Sequence, residues 1–97
     1  MRVHVEATNF VVDSKLVEFA EKKISKLQEH HQDISSAEVI FKVENFKGLE
    51  NKLTEIIMKA PGMNAVAKKT YKTFEEGVDK CLEAIDKQLS KNKDVVR

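Results

Sequence analysis

Apolar residues recur along the chain with two different periods, and these lay out the elements. From residue 2 to residue 8, Val3, Val5 and Ala7 alternate with Arg2, His4, Glu6 and Thr8, the period of a half-buried strand. Asp13 precedes a helical pattern and can cap it through its carboxylate. Leu16, Ala20, Ile24 and Leu27 recur at steps of four, four and three, one face of a helix predicted over residues 14–31. Alternation returns at Ala37, Val39, Phe41 and Val43, set against Glu38, Ile40, Lys42 and Glu44. Residues 45–51 read as a loop with Gly48 as its breaker. A third strand is predicted over 52–60. Pro61-Gly62 suits the central pair of a type II turn, and a fourth strand follows over 63–71. Thr73 can cap a last helix, whose positive end suits Glu75 and Glu76. Its apolar face is Phe74, Val78, Cys81, Leu82, Ile85 and Leu89, and it should end near Lys91 or Asn92.

The order β-α-β-β-β-α restricts the topology. A right-handed crossover makes the first two strands parallel, and two hairpins add the others. Each helix follows a strand of the same sense, so the two helices run parallel and cover a single face. The expected class is α+β, with two layers: a four-stranded mixed sheet and two parallel helices on one face. The core should then hold Val3, Val5, both helix faces, Val39, Phe41, Ile56, Met58, Ala65 and Ala67. The opposite face is polar apart from Ile40, Ile57 and Val66. At 97 residues, the chain (1–97) is expected to be a single domain, since two cores would need roughly 100 residues each.

Composition removes several classes of function. With 41% apolar and 34% charged residues, one Pro and three Gly, the chain is neither disordered nor of low complexity. No apolar run exceeds three residues, so no segment is expected to cross a membrane. The N-terminal Met1-Arg2-Val3-His4-Val5-Glu6 lacks the apolar stretch of a signal peptide, and a cytoplasmic location is expected. A lone cysteine forms no internal disulfide, and with three scattered histidines it gives no zinc-ligand spacing. His30 and His31 read as a frayed helix end, and Cys81 as a buried structural thiol. Glu38 and Glu55 are expected as neighbours in a solvated lattice with Lys42 and Lys59. No phosphate-binding glycine loop, nucleophile set or pocket-forming insertion is present, so no enzyme, cofactor, metal or small-molecule substrate is expected.

Net charge is +1, from 17 basic and 16 acidic residues, so the total points to no partner. Its distribution is more informative. At about 100° per residue, Lys15, Lys22 and Lys26 share a narrow stripe of the first helix. Lys23 and His30 lie beside that stripe, toward the apolar face, while Glu18, Glu21 and Glu29 take the opposite flank. In the second helix Lys80, Lys87 and Lys91 line one flank, and Glu75, Asp79, Glu83, Asp86 and Ser90 the other. The rotational sense from apolar face to lysines is the same in both. A further cluster, Lys68-Lys69-Thr70-Tyr71-Lys72, joins the fourth strand to the second helix, and Lys93 and Arg97 follow near the end. Solvation with four-residue pairs such as Glu18–Lys22 and Glu83–Lys87 accounts for such faces in many proteins. Lysine rows on two parallel helices can also meet phosphates at several points, each contact displacing counterions.

The chain resembles the short ribosome-hibernation factors, the family of the hibernation promoting factor and the ribosome-associated inhibitor, also labelled sigma-54 modulation proteins. The matching stretches are Asn9 to Phe19 (NFVVDSKLVEF), Lys22 to Leu27 (KKISKL), Ala37 to Glu44 (AEVIFKVE), Val78-Asp79 and Asp86 to Asp94 (DKQLSKNKD). The spacing of all six elements fits the family end to end. The resemblance implies the β-α-β-β-β-α fold and binding to the 30S ribosomal subunit, at the 16S rRNA of the tRNA and mRNA channel. It also implies inhibition of translation in stationary phase or stress. It places RNA contacts on Lys22, Lys23, Lys26, Lys87, Lys91 and Lys93; the helical stripes add Lys15 and Lys80. Two positions depart from the family pattern: members usually have a basic residue where Ala84 stands, on the outer, lysine flank of the second helix, and often an aromatic where Glu75 stands.

Two other readings stay open on the residues alone. A double-stranded-RNA module also sets two helices on a sheet, but needs a basic N-terminus on the second helix, where this chain has Glu75 and Glu76. A protein-interaction regulator would use Ile40, Ile57 and Val66 on the open sheet face, a strip that would also serve a weak homodimer.

Overall fold

The computed structural model describes residues 1–44 and 51–95, the last four of these by backbone alone. Strand β1 (Arg2–Thr8), helix α1 (Ser14–His30), strands β2 (Ser36–Val43), β3 (Lys52–Ala60) and β4 (Met63–Tyr71), and helix α2 (Phe74–Val95) follow in the predicted order. The loop expected at 45–51 lies outside the described residues except for Asn51, whose carbonyl accepts the Glu44 N–H at 2.8 Å. α2 runs about one turn beyond its expected end, because residues 91–95 contain no Gly or Pro to stop it. Among the described residues no helix is long and apolar enough to cross a membrane.

The sheet order is β1-β2-β3-β4. β1 and β2 are parallel, with Val3 opposite Ala37 and Val5 opposite Val39. The other two pairings are antiparallel, Val39 facing Ile56 and Ile56 facing Ala67. Local chemistry fixes the joints. Asp13 Oδ1 accepts the Leu16 N–H at 2.8 Å, and Thr73 Oγ1 accepts the Glu76 N–H at 3.2 Å, each satisfying a donor that the first helical turn leaves open. Gly62 has φ 83°, as the third position of a type II turn requires. Asn9 takes φ 71°, a conformation Asn tolerates, and its side-chain amide donates to the Val43 carbonyl at 3.2 Å. The chain thereby turns Phe10 inward to stack on Phe74 at 4.9 Å, and Phe74 meets the edge of Phe41 at 5.0 Å.

Both predicted helix faces are buried, together with Val39, Phe41, Ile56, Met58, Ala65 and Ala67. Val3 and Val5 are only half-buried, since β1 is an edge strand. Small residues set how closely α2 approaches the sheet. Gly77 rests on Thr54, where an added Cβ would come within 2.9 Å of the Thr54 Cβ. Cys81 points its thiol at the Thr54 and Ala67 carbonyls, 3.4 and 3.6 Å away, and burial pushes the thiol up to about 11.

Two local expectations are corrected and a third gains its register. His31 is no frayed end: it caps α1, is 3% exposed, and its Nε2 lies 2.7 Å from Asp86 Oδ1 on α2. Glu38 and Glu55 are neighbours on the open face as expected, in a diagonal pair, because Glu38 faces Ile57 and Glu55 faces Ile40. The lysine cluster after Ala67 is divided by strand alternation. Lys68 joins the open face, opposite Glu55, while Lys69 falls on the same side as Ala65 and Ala67.

Candidate nucleic-acid interface

The charged faces follow from how the two helices are laid side by side. Lys23 pairs with Asp79 at 3.5 Å, and eight residues further on His31 meets Asp86. Both partners advance together, so α1 and α2 are parallel as expected. Parallel helices that sort their charges in the same rotational sense must bring unlike flanks together. The lysine flank of α1 therefore faces the acidic flank of α2. A shallow groove of about 240 Å³ between them is lined by Lys23, Lys26, Leu27 and His30 on one side and Asp79, Leu82, Glu83 and Asp86 on the other.

The outer surface of the helical layer is therefore striped. The acidic flank of α1 comes first, then the row Lys15, Lys22 and Lys26, then Asp79, Glu83 and Asp86, then Lys80, Lys87 and Lys91. All six lysines in the two rows are exposed. Lys15, Lys22, Lys26, Lys87 and Lys91 form no ion pair with another described side chain, while Lys80 leans on Glu83 at 3.3 Å. Lys23 differs from these. It is half-buried, paired with Asp79, and its ammonium sits 5.5 Å from the Phe19 ring centroid. Lys93 continues the backbone of α2, but its side chain lies outside the described residues.

The lysine flank of α2 borders the free edge of β4. Gln88 occupies that border: its Nε2 donates to the Val66 carbonyl at 2.8 Å, and its Oε1 accepts the Val66 N–H at 3.1 Å. One carboxamide thus satisfies both groups of an exposed edge residue, which blocks strand addition there. Ala84, expected on the outer flank, is half-buried against the core beside Gln88. On the open face, Ile40 and Ile57 are half-buried and Val66 is 43% exposed, surrounded by Arg2, His4, Glu6, Glu38, Lys59 and Lys68.

The opposition of flanks follows from two features of the sequence taken together, the parallel helices and the shared rotational sense. The Gln88 clamp had no sequence signal, because a glutamine on a helix flank resembles any other solvated residue. His4, Glu6 and Glu38 also converge on the open face, their ligand atoms within 4.8 Å of one another. Only the parallel register, with His4 opposite Glu38, brings them together.

Known proteins share both the sequence and the architecture. A ribosome hibernation promoting factor of Azotobacter vinelandii is 29% identical over 94 residues, covering 97% of this chain and 84% of its own. That of Pseudomonas putida is 27% identical, with 97% and 88% covered. Among solved structures, a ribosomal subunit interface protein from Coxiella burnetii superposes with a TM-score of 0.83 at 26% identity, covering 96% of this chain and 98% of that one. The N-terminal domain of Thermus thermophilus Protein Y shares the fold, with a TM-score of 0.78 at 15% identity over 94% and 98% of the two chains. A family sequence model matches residues 3–97, nearly the whole chain, and the chain belongs to the family described as Sigma 54 modulation protein / S30EA ribosomal protein.

Proposed function

We propose that the chain is a ribosome hibernation factor: it binds the 30S subunit at the 16S rRNA of the tRNA and mRNA channel and inhibits translation there, without catalysis. The observation that carries this is the pair of exposed lysine rows, Lys15, Lys22 and Lys26 on α1 and Lys80, Lys87 and Lys91 on α2, standing on one rigid layer. Five of the six are uncommitted to any described carboxylate, so a phosphate can take them without breaking an ion pair. Names of relatives from Azotobacter and Pseudomonas, both ribosome hibernation promoting factors, point the same way. Lys23 holds the helices together more than it reaches for RNA, and Lys93 extends the α2 row in sequence.

The double-stranded-RNA reading is weakened by Glu75 and Glu76, both exposed in the first turn of α2, where that module would meet phosphate. The test is co-sedimentation with purified 30S subunits at low salt. Wild type should pellet with 30S, and an mRNA mimic occupying the channel should reduce the bound fraction. Failure of the wild-type chain to pellet would overturn the proposal.

A further inference from the structure

We propose that the open face of the sheet holds a divalent transition-metal site built by His4, Glu6 and Glu38, suited to zinc. This does not rest on the ribosome reading, since the three residues lie on the side of the sheet away from both helices.

The backbone makes the cluster. His4 and Glu6 are two residues apart on β1, so their side chains leave the same face. Parallel pairing sets Glu38 of β2 opposite His4. The imidazole and the two carboxylates then present one ligand atom each, all within 4.8 Å of one another, and His4 Nε2 lies 3.0 Å from Glu6 Oε1. In a tetrahedral zinc site with bonds of about 2.0–2.2 Å, ligand atoms stand about 3.3–3.6 Å apart. Small rotations of the exposed His4 and Glu6 and the half-buried Glu38 side chains, on two hydrogen-bonded strands, would close that difference with no movement of the backbone.

Donor chemistry selects the metal. One imidazole and two carboxylates form a mixed nitrogen and oxygen set, which favours zinc over magnesium or calcium. The site is open on one side. A cleft of about 410 Å³ beside His4 and Glu38, also lined by Arg2, Ser36 and Lys59, leaves room for water to complete the coordination. Arg2 and Lys59 offset part of the field of the two carboxylates, so the site should bind reversibly and not as a structural staple. The fold does not need the metal, because the core lies on the other face.

The test is calorimetric titration of the whole chain with zinc chloride in a buffer free of chelators. Wild type should take up one zinc per chain. His4→Ala and Glu38→Gln should each weaken binding at least about tenfold, since even loss of an outer partner of a metal ligand costs that much. His30→Ala, a histidine on α1 remote from β1, should bind zinc like wild type. All three substitutions are at exposed or half-buried positions, so circular dichroism should show folded protein in each case. Saturable binding lost in His4→Ala and kept in His30→Ala supports the site. Absence of saturable binding, equal affinity in His4→Ala and wild type, or displacement of the zinc by an equal concentration of magnesium would overturn it.

Discussion

Reversing Lys22 and Lys26 to glutamate takes two neighbouring cations from the α1 row without touching a buried atom. The folding cost should be small. Exposed substitutions usually stay within about 0.5 kcal/mol, and loss of the Glu18–Lys22 spacing adds a few tenths. The binding cost should be large and should depend on salt in a defined way. Each lysine–phosphate contact adds about 0.7 to 0.9 to the slope of log affinity against log salt, so two lost contacts flatten it by about 1.4 to 1.8. Between about 50 and 200 mM salt, wild type should then lose about 7- to 12-fold more affinity than the double variant. The same arithmetic applies to Lys87→Glu with Lys91→Glu. Co-sedimentation with 30S across a salt series measures both slopes, and Lys68→Glu, on the open face, should leave the wild-type slope unchanged. Parallel lines for wild type and both double variants would refute the assignment of the rows to phosphate.

Gly77→Ala should cost about 1–3 kcal/mol, because the new methyl group meets the Thr54 side chain and α2 must move off the sheet; a urea midpoint unchanged from wild type would contradict that close approach. Asp86→Ala should cost about 1–3 kcal/mol in the same assay by leaving the buried His31 without its partner, whereas Glu83→Ala, exposed one turn away, should stay within about 0.5 kcal/mol. Cys81 is held as the neutral thiol by burial, at about 11 against an ordinary 9.0. Its contribution to stability is full below pH 9 and falls as pH rises to 11, by about 2–3 kcal/mol. Cys81→Ala should show a shallower loss of stability over that interval, and a thiol reagent at pH 8 should label wild type only when it is unfolded.

Much of the fold was legible because each element announced itself by period and by cap. Leu16, Ala20, Ile24 and Leu27 formed one face on the wheel and form one buried face in the structure. Asp13 and Thr73 were named as caps on residue type, and both accept the N–H three residues on. What could not be read was anything set by the meeting of two elements. His31 looked like the loose end of a helix because its partner, Asp86, is 55 residues away. Ala84 looked outward on the wheel, yet it packs against the core and is half-buried. The candidate site was legible row by row, and Lys23 shows the limit of that reading. Its position beside the stripe was visible, but not that Asp79 would hold it.

On the proposed function, the striped surface accounts for how a chain of net charge +1 would present lysines to RNA. Packed helices stand about 8–10 Å apart, and at physiological salt the screening length is about 8 Å. A phosphate seated on Lys87 and Lys91 therefore feels those lysines at contact and the α1 acidic flank, on the far side of the layer, hardly at all. The strip of Asp79, Glu83 and Asp86 is closer, but two of its members already face cationic or hydrogen-bonding partners, Lys23 and His31. Glu83 is likewise engaged, by Lys80. The acidic groups nearest such a phosphate are thus the ones the protein itself has partly neutralised, while the lysines it leaves uncommitted are those at the outer face. Total charge counts both sets equally; local recognition does not, and a net value of +1 therefore does not weigh against the proposed RNA partner.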